Sequence, residues 1–174
     1  MAKSTRNIAL IIVLGLSLAL VSFPRFDCQD LGPLKYVTGR NPDGSQSIGD
    51  AVHYINYVEY FRGQVLIQAT IVPFRYRPLV PLLASLIPVY SPMTALNLIN
   101  LLALYISLLF LFRFLRLLGF SFHYAILGGL LYTVSFPVLY YATTGYVDSV
   151  AMAVIIAGTY LVYRERWLSL TLLL

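Results

Sequence analysis

Apolar and polar positions fall into long blocks along this chain, and the blocks predict its elements. Ile8 to Phe23 is an apolar run that follows Lys3 and Arg6 and is closed by Pro24-Arg25. Met93 to Phe112 is a second, closed by Arg113 and Arg116; a turn around Gly119 separates it from a third, Phe120 to about Ala142, which carries Pro137. Thr143-Thr144-Gly145 forms the next turn, and Val147 to Tyr163 is a fourth run, ending at Arg164-Glu165-Arg166. A bilayer core takes about 20 helical residues, so spans are expected at about 8–23, 93–112, 120–142 and 147–163. Trp167 to Leu174 starts a fifth apolar run too short to cross. We therefore expect residues 1–174 to be one membrane domain, the N-terminal part of a longer module.

Between the first two runs, residues 24–92 are polar and punctuated by Gly32-Pro33, Gly39, Asn41-Pro42-Asp43-Gly44 and Gly49. Within this stretch, Asp50 to Arg62 has helical spacing. One stripe takes Val52, Ile55, Val58 or Glu59, and Arg62; another takes Asp50, Tyr54, Tyr57 and Phe61. The spacing predicts a short helix along the membrane surface with its rings at headgroup depth, stopped by Gly63. Leu79 to Pro88 is apolar, short for a span and interrupted by Pro81, which predicts a re-entrant or interfacial helix. The fold class expected is an all-α polytopic membrane protein: four transmembrane helices, the start of a fifth, and a long outer first loop containing short juxtamembrane helices.

Composition agrees. Hydrophobic residues make up 59% and charged residues 11%, against roughly 45–50% and 25% in soluble domains, and the mean hydropathy is +0.79. The net charge of +5 does not signal nucleic acid, because the cations sit in small groups beside apolar runs. Cys28 is the sole cysteine, which excludes an internal disulfide. Val21-Ser22-Phe23-Pro24 is a poor signal-cleavage site, so the first run reads as an uncleaved span with a cytoplasmic N-terminus. That orientation places Lys3, Arg6, Arg113, Arg116, Arg164 and Arg166 in the cytoplasm, as the positive-inside rule asks. The location expected is a prokaryotic plasma membrane, with multiple passes. Asp50 and Asp148 then both lie at the outer face and converge on one outer cavity.

Each candidate group has a plain role beside a chemical one. Ser47-Ile48-Gly49-Asp50 fits a capping box, so Asp50 either caps a helix or supplies a carboxylate for chemistry. Asp148, at the start of the fourth run, is a first-turn acid or a functional ionisable group at a membrane boundary. Arg75 and Arg77 flank Tyr76 ahead of a proline, and their planar guanidinium groups suit phosphate oxygens of a bound substrate or of ordinary headgroups. His53, at i+3 from Asp50, could share a divalent cation with it or relay a proton; the lack of further clustered His or Cys weighs against a metal. No cofactor is assigned beyond that optional cation. Tyr54 could stack on a sugar ring, although most of the 14 tyrosines sit at predicted span ends as an aromatic belt.

Several of these residues also carry a resemblance. Asp50-Ala-Val-His-Tyr54, Arg77-Pro78-Leu79-Val80-Pro81-Leu82-Leu83-Ala84, Arg113-Phe-Leu-Arg116-Leu-Leu-Gly119 and Gly145-Tyr146-Val147-Asp148-Ser149, spread over roughly residues 8–166, resemble the N-terminal part of GT-C superfamily glycosyltransferases. The similarity is to the branch of dolichyl-phosphate-mannose protein mannosyltransferase-like and aminoarabinose transferase-like enzymes. It implies transfer of a hexosyl or pentosyl group from a polyprenyl-phosphate-sugar donor to an acceptor glycan, lipid or protein at the outer face of the bilayer. It further implies that Asp50 is the catalytic base that deprotonates the acceptor hydroxyl or otherwise organises the site, that inversion occurs at the sugar carbon, and that Arg77 lies near the carrier phosphate. The chain departs from the branch at Ala51, where Glu is common. Two other classes stay open: a non-catalytic multi-span subunit whose outer loop docks a partner, and a transporter in which Asp50 and Asp148 bind a cation or proton. Nucleic acid is not an expected partner.

Overall fold

A computed structural model describes residues 12–20, 39–40, 46–47, 51–64, 77–89, 91–135, 138 and 147–164. Its described elements are helix α1 (12–20), strands β1 (Gly39–Arg40) and β2 (Gln46–Ser47), and helices α2 (Ala51–Phe61), α3 (Leu79–Ser85), α4 (Pro92–Leu117), α5 (Phe122–Thr133) and α6 (Asp148–Tyr163). The strands form a minimal antiparallel ladder, Gly39 opposite Ser47 and Arg40 opposite Gln46, that brackets the Asn-Pro-Asp-Gly turn signal. Every other described element is helical.

The long helix α4 begins where the sequence supplies both halves of a start signal. Ser91 accepts a hydrogen bond from the Thr94 amide at 3.3 Å, and Pro92 fills a position whose N–H would have no helical partner. Leucine-rich sequence then carries the helix for 26 residues, about 39 Å at 1.5 Å per residue. It is the one helix among the described residues that is long and apolar enough to cross a membrane. It runs five residues past the expected end at Phe112, because Arg113 and Arg116 are good helix formers whose heads reach water. The stop is Gly119, with φ +91, where a side chain would be strained. Arg116 Nη1 donates to the Phe120 carbonyl at 2.6 Å and ties the turn back to the helix.

α5 covers only the first part of the expected 120–142 span. Its last residue, Thr133, is the position whose carbonyl would meet the ring of Pro137 four residues on, which accounts for the stop. α6, with 16 residues, occupies the run expected at 147–163.

Contacts fix the helix directions. Phe112 meets Phe122 edge-on at 5.9 Å and Ser107 meets Tyr132, so α5 returns antiparallel to α4. Val147 and Val150 pack with Ala95 and Leu96, while Phe110 meets Tyr160 and Phe114 meets Tyr163, each at 5.5 Å, so α6 runs parallel to α4. Leu18 packs with Leu104, and Leu14 with Leu108, which makes α1 antiparallel to α4. Arg113, Arg116, His123 and Arg164 consequently gather at one end of the bundle, and α2, α3 and the start of α6 at the other.

α4 packs most extensively on α6. The buried face of α6 is Ser149, Ala153 and Ala157, followed by Tyr160. Small residues four apart let the two backbones approach closely, the packing mode of helices in apolar surroundings. The facing α4 buries Asn97, Asn100 and Ser107 among its aliphatics. Ser107 Oγ donates to the Leu104 carbonyl at 2.7 Å, so the Tyr132 hydroxyl, also at 2.7 Å, donates to Ser107. Removing the two partners is therefore not symmetric. Ser107→Ala strands the Tyr132 hydroxyl and is expected to cost about 1–3 kcal/mol, whereas Tyr132→Phe removes only the donor and should cost about 0.5–1.5 kcal/mol. Denaturation of the two variants in detergent checks the order; equal losses would contradict the donor assignment.

At the opposite end, α2 differs from expectation. Two rings of its aromatic stripe are enclosed by neighbouring helices rather than open to headgroups: Tyr54 is 1% exposed and Tyr57 is buried, as is Val58 of the other stripe. Tyr54 and Val58 pack with Val80 and Ala84 of α3, Ala95 and Leu96 of α4 and Val147 of α6. Helical spacing says which residues share a face, but a neighbouring helix competes with the bilayer surface for that face, and here the small side chains of α3 and α4 leave room for a ring. Gly63, with φ +70, ends the helix as expected. Arg62 Nη2 donates to the Ile87 carbonyl at 3.1 Å, binding the end of α2 to the chain after α3. α3 is a short helix with Pro81 in its first turn, where proline is tolerated. It buries Val80, Pro81 and Ala84 and exposes Leu79, Leu82, Leu83 and Leu86.

Candidate functional site

The layer of α2, α3 and α6 positions two charges that lie 71 residues apart in sequence. Arg77 precedes Pro78 and the first turn of α3; Asp148 is the first residue of α6. Packing of Val80 with Val147 brings these helix starts together, and Arg77 Nη1 lies 3.4 Å from Asp148 Oδ1. The side chains are 51% and 34% exposed. An ion pair this open, with one long contact, belongs to the class worth about 0–1 kcal/mol. It is too weak to be a staple of the fold, and it leaves about half of the Arg77 side chain exposed.

Beside the pair is a cavity of ≈ 330 Å³ lined by Arg77, Asp148, Leu79, Val80, Val147, Val150 and Ala151. One cation and one carboxylate thus stand against an aliphatic wall. The combination suits an amphiphile carrying an anionic head: a guanidinium donates to several oxygens at once, and the wall accepts hydrocarbon.

Of the residues expected to form a site, Arg77 and Asp148 are brought together. The sequence placed both at the same end of the spans but offered no register between them. Tyr54 stands in the same layer with its ring enclosed by packing rather than open to a ligand. His53 is half-buried on α2. Asp50 and Arg75, and with them the convergence of Asp50 on Asp148, lie outside the described residues. Among the described residues no group of three or more His, Cys, Asp or Glu could hold a metal ion. The aliphatic wall formed by Leu79, Val80, Val147 and Val150 was not anticipated; the signal for it was two apolar segments, one beginning just after Arg77-Pro78 and the other around Asp148.

A second cavity of ≈ 330 Å³ lies between α1 and α4, lined by Gly15, Leu18, Ala19, Leu98, Leu101, Leu102 and Tyr105. It contains no charged group and offers no chemistry of its own. Comparison with protein-family models, with curated proteins and with solved structures finds no match to this chain.

Proposed function

We propose that the protein is a polytopic membrane glycosyltransferase of the GT-C type, moving a sugar from a polyprenyl-phosphate donor to an acceptor at the outer face of the membrane. The observation that carries the reading is the Arg77–Asp148 pair beside an aliphatic cavity, an arrangement that suits a phosphate with a hydrocarbon chain attached. The resemblance of the Asp50, Arg77 and Asp148 segments to that superfamily supports the same reading. The orientation follows from charge. With Arg113, Arg116 and Arg164 at one end of the bundle, the positive-inside rule makes that end cytoplasmic and the Arg77–Asp148 end external. α1, α4, α5 with the chain after it, and α6 are the four spans of this reading.

In the reaction, the acceptor hydroxyl oxygen bonds to the anomeric carbon as the bond from that carbon to the carrier phosphate breaks. The electron pair of the broken bond leaves with the phosphate, whose charge Arg77 faces. The hydroxyl proton goes to Asp50, and the sugar carbon inverts. Transfer in the protein's own membranes, assayed with a panel of polyprenyl-phosphate-linked hexoses and pentoses, tests the proposal. Asp50→Asn keeps size and much of a capping role while removing the base, and is expected to lower transfer about 10²- to 10⁴-fold with membrane insertion unchanged. Unaltered transfer would remove Asp50 from the mechanism.

A further inference from the structure

We infer that Asp148 is an internal competitor for Arg77, holding the guanidinium until a lipid-linked phosphate displaces it, so that binding exchanges one anion for another. The inference rests on the proposed function and adds a role for the carboxylate that the transfer reaction does not require.

Three features point to exchange rather than to a permanent pair. The contact is a single one, Nη1 to Oδ1 at 3.4 Å, longer than the 2.7–2.9 Å of a strong charge-assisted bond and without the second parallel bond of a bidentate pair. Both side chains reach solvent, 51% and 34% exposed, so screening already weakens the attraction. A phosphate, with several oxygens around one centre, satisfies a planar guanidinium better than one edge of a carboxylate does.

Asp148 is also provided for once displaced. It occupies the first turn of α6, where the N–H groups of the helix start favour negative charge, and the N-cap residue Val147 contributes no side-chain hydrogen bond to those groups. Releasing Arg77 therefore leaves the carboxylate beside backbone donors. The cavity supplies the remaining selectivity: Leu79, Val80, Val147 and Val150 line it next to the pair, so an anion with an isoprenoid chain gains contacts that a bare anion does not.

The test is direct binding to the detergent-solubilised protein, with farnesyl phosphate and inorganic phosphate as separate probes. Asp148→Asn is expected to bind farnesyl phosphate about two- to fivefold more tightly than the unaltered protein, the range set by a solvent-exposed pair. Arg77→Ala should bind it at least about tenfold more weakly. In the double variant the gain from Asp148→Asn should vanish, since a competitor matters only while Arg77 is present. Asp148→Ala serves as a second form of the first variant, and a melting temperature unchanged from the unaltered protein shows that the shift is not one of folding.

Equal or weaker binding by both Asp148 variants, with Arg77→Ala still impaired, overturns the competitor role and leaves the phosphate site standing. Unchanged binding by Arg77→Ala overturns the phosphate site itself, and the exchange with it. Inorganic phosphate as tightly bound as farnesyl phosphate would show that the cavity does not read the hydrocarbon, and would overturn a lipid-linked ligand.

Discussion

Arg77→Ala is expected to reduce sugar transfer by one to two orders of magnitude while leaving the protein folded. The size follows from a hydrogen bond to a charged group, worth about 1.5–3 kcal/mol, with 1.4 kcal/mol equal to a factor of ten. Negative charge on the carrier phosphate grows as its bond to the sugar breaks, so the loss should appear in kcat as well as in KM for the donor. Arg77→Lys keeps a charge but not the planar fork, and should recover only part of the rate. Stability should barely move, because the side chain is half exposed and its pairing with Asp148 is weak. Steady-state transfer assays beside thermal melts separate the two effects. Full activity in Arg77→Ala would place the carrier phosphate elsewhere.

The second large effect concerns the bundle. Gly129 of α5 faces α1 and α4 so closely that a Cβ there would lie 3.2 Å from Leu14 Cδ2 and 3.3 Å from Leu108 Cδ1. Gly129→Leu must push these helices apart or force both leucines from their rotamers, and overpacking of this kind costs about 1–3 kcal/mol. The melting temperature should fall by several degrees. Gly129→Ala is different: its single carbon needs the two leucine methyls to give by a few tenths of an ångström, while alanine recovers up to about 1 kcal/mol of helix propensity. The two terms nearly cancel, and the variant should melt close to the unaltered protein. If leucine were as well tolerated as alanine, the three-helix crossing would not be tight.

What the sequence made legible follows from how local each signal is. The existence of α4 was readable because its apolar length and the turn at Gly119 are written within one continuous stretch, whereas the cap at Ser91 was not read and the end fell five residues beyond Phe112. The existence of α2, α3 and α6 was equally local, as was the stop at Gly63. The destination of the α2 aromatic face was not, because Tyr54 and Tyr57 suit a membrane surface and a helix interface alike, and only the positions of Val80, Ala84 and Leu96 decide between them. The Arg77–Asp148 contact needed the register between α3 and α6, which depends on helix packing and leaves no mark at either residue. The end of α5 lay between the two cases: Pro137 was visible, but its reach back to Thr133 was weighed less than the apolar run around it.

The connection at residues 118–121 has a consequence for how the protein is made. It is short and turned by Gly119, and its Phe120 carbonyl is held by the side chain of Arg116. Under the membrane reading proposed above, α4 and the segment that begins with α5 would leave the ribosome as one helical hairpin and enter the bilayer together. No polar segment longer than this turn separates the two arms, and on that reading Arg113 and Arg116, at the bend, would stay on the side of synthesis. On that reading the hairpin would present two apolar arms and a basic tip, and its orientation would be set before α6 is translated.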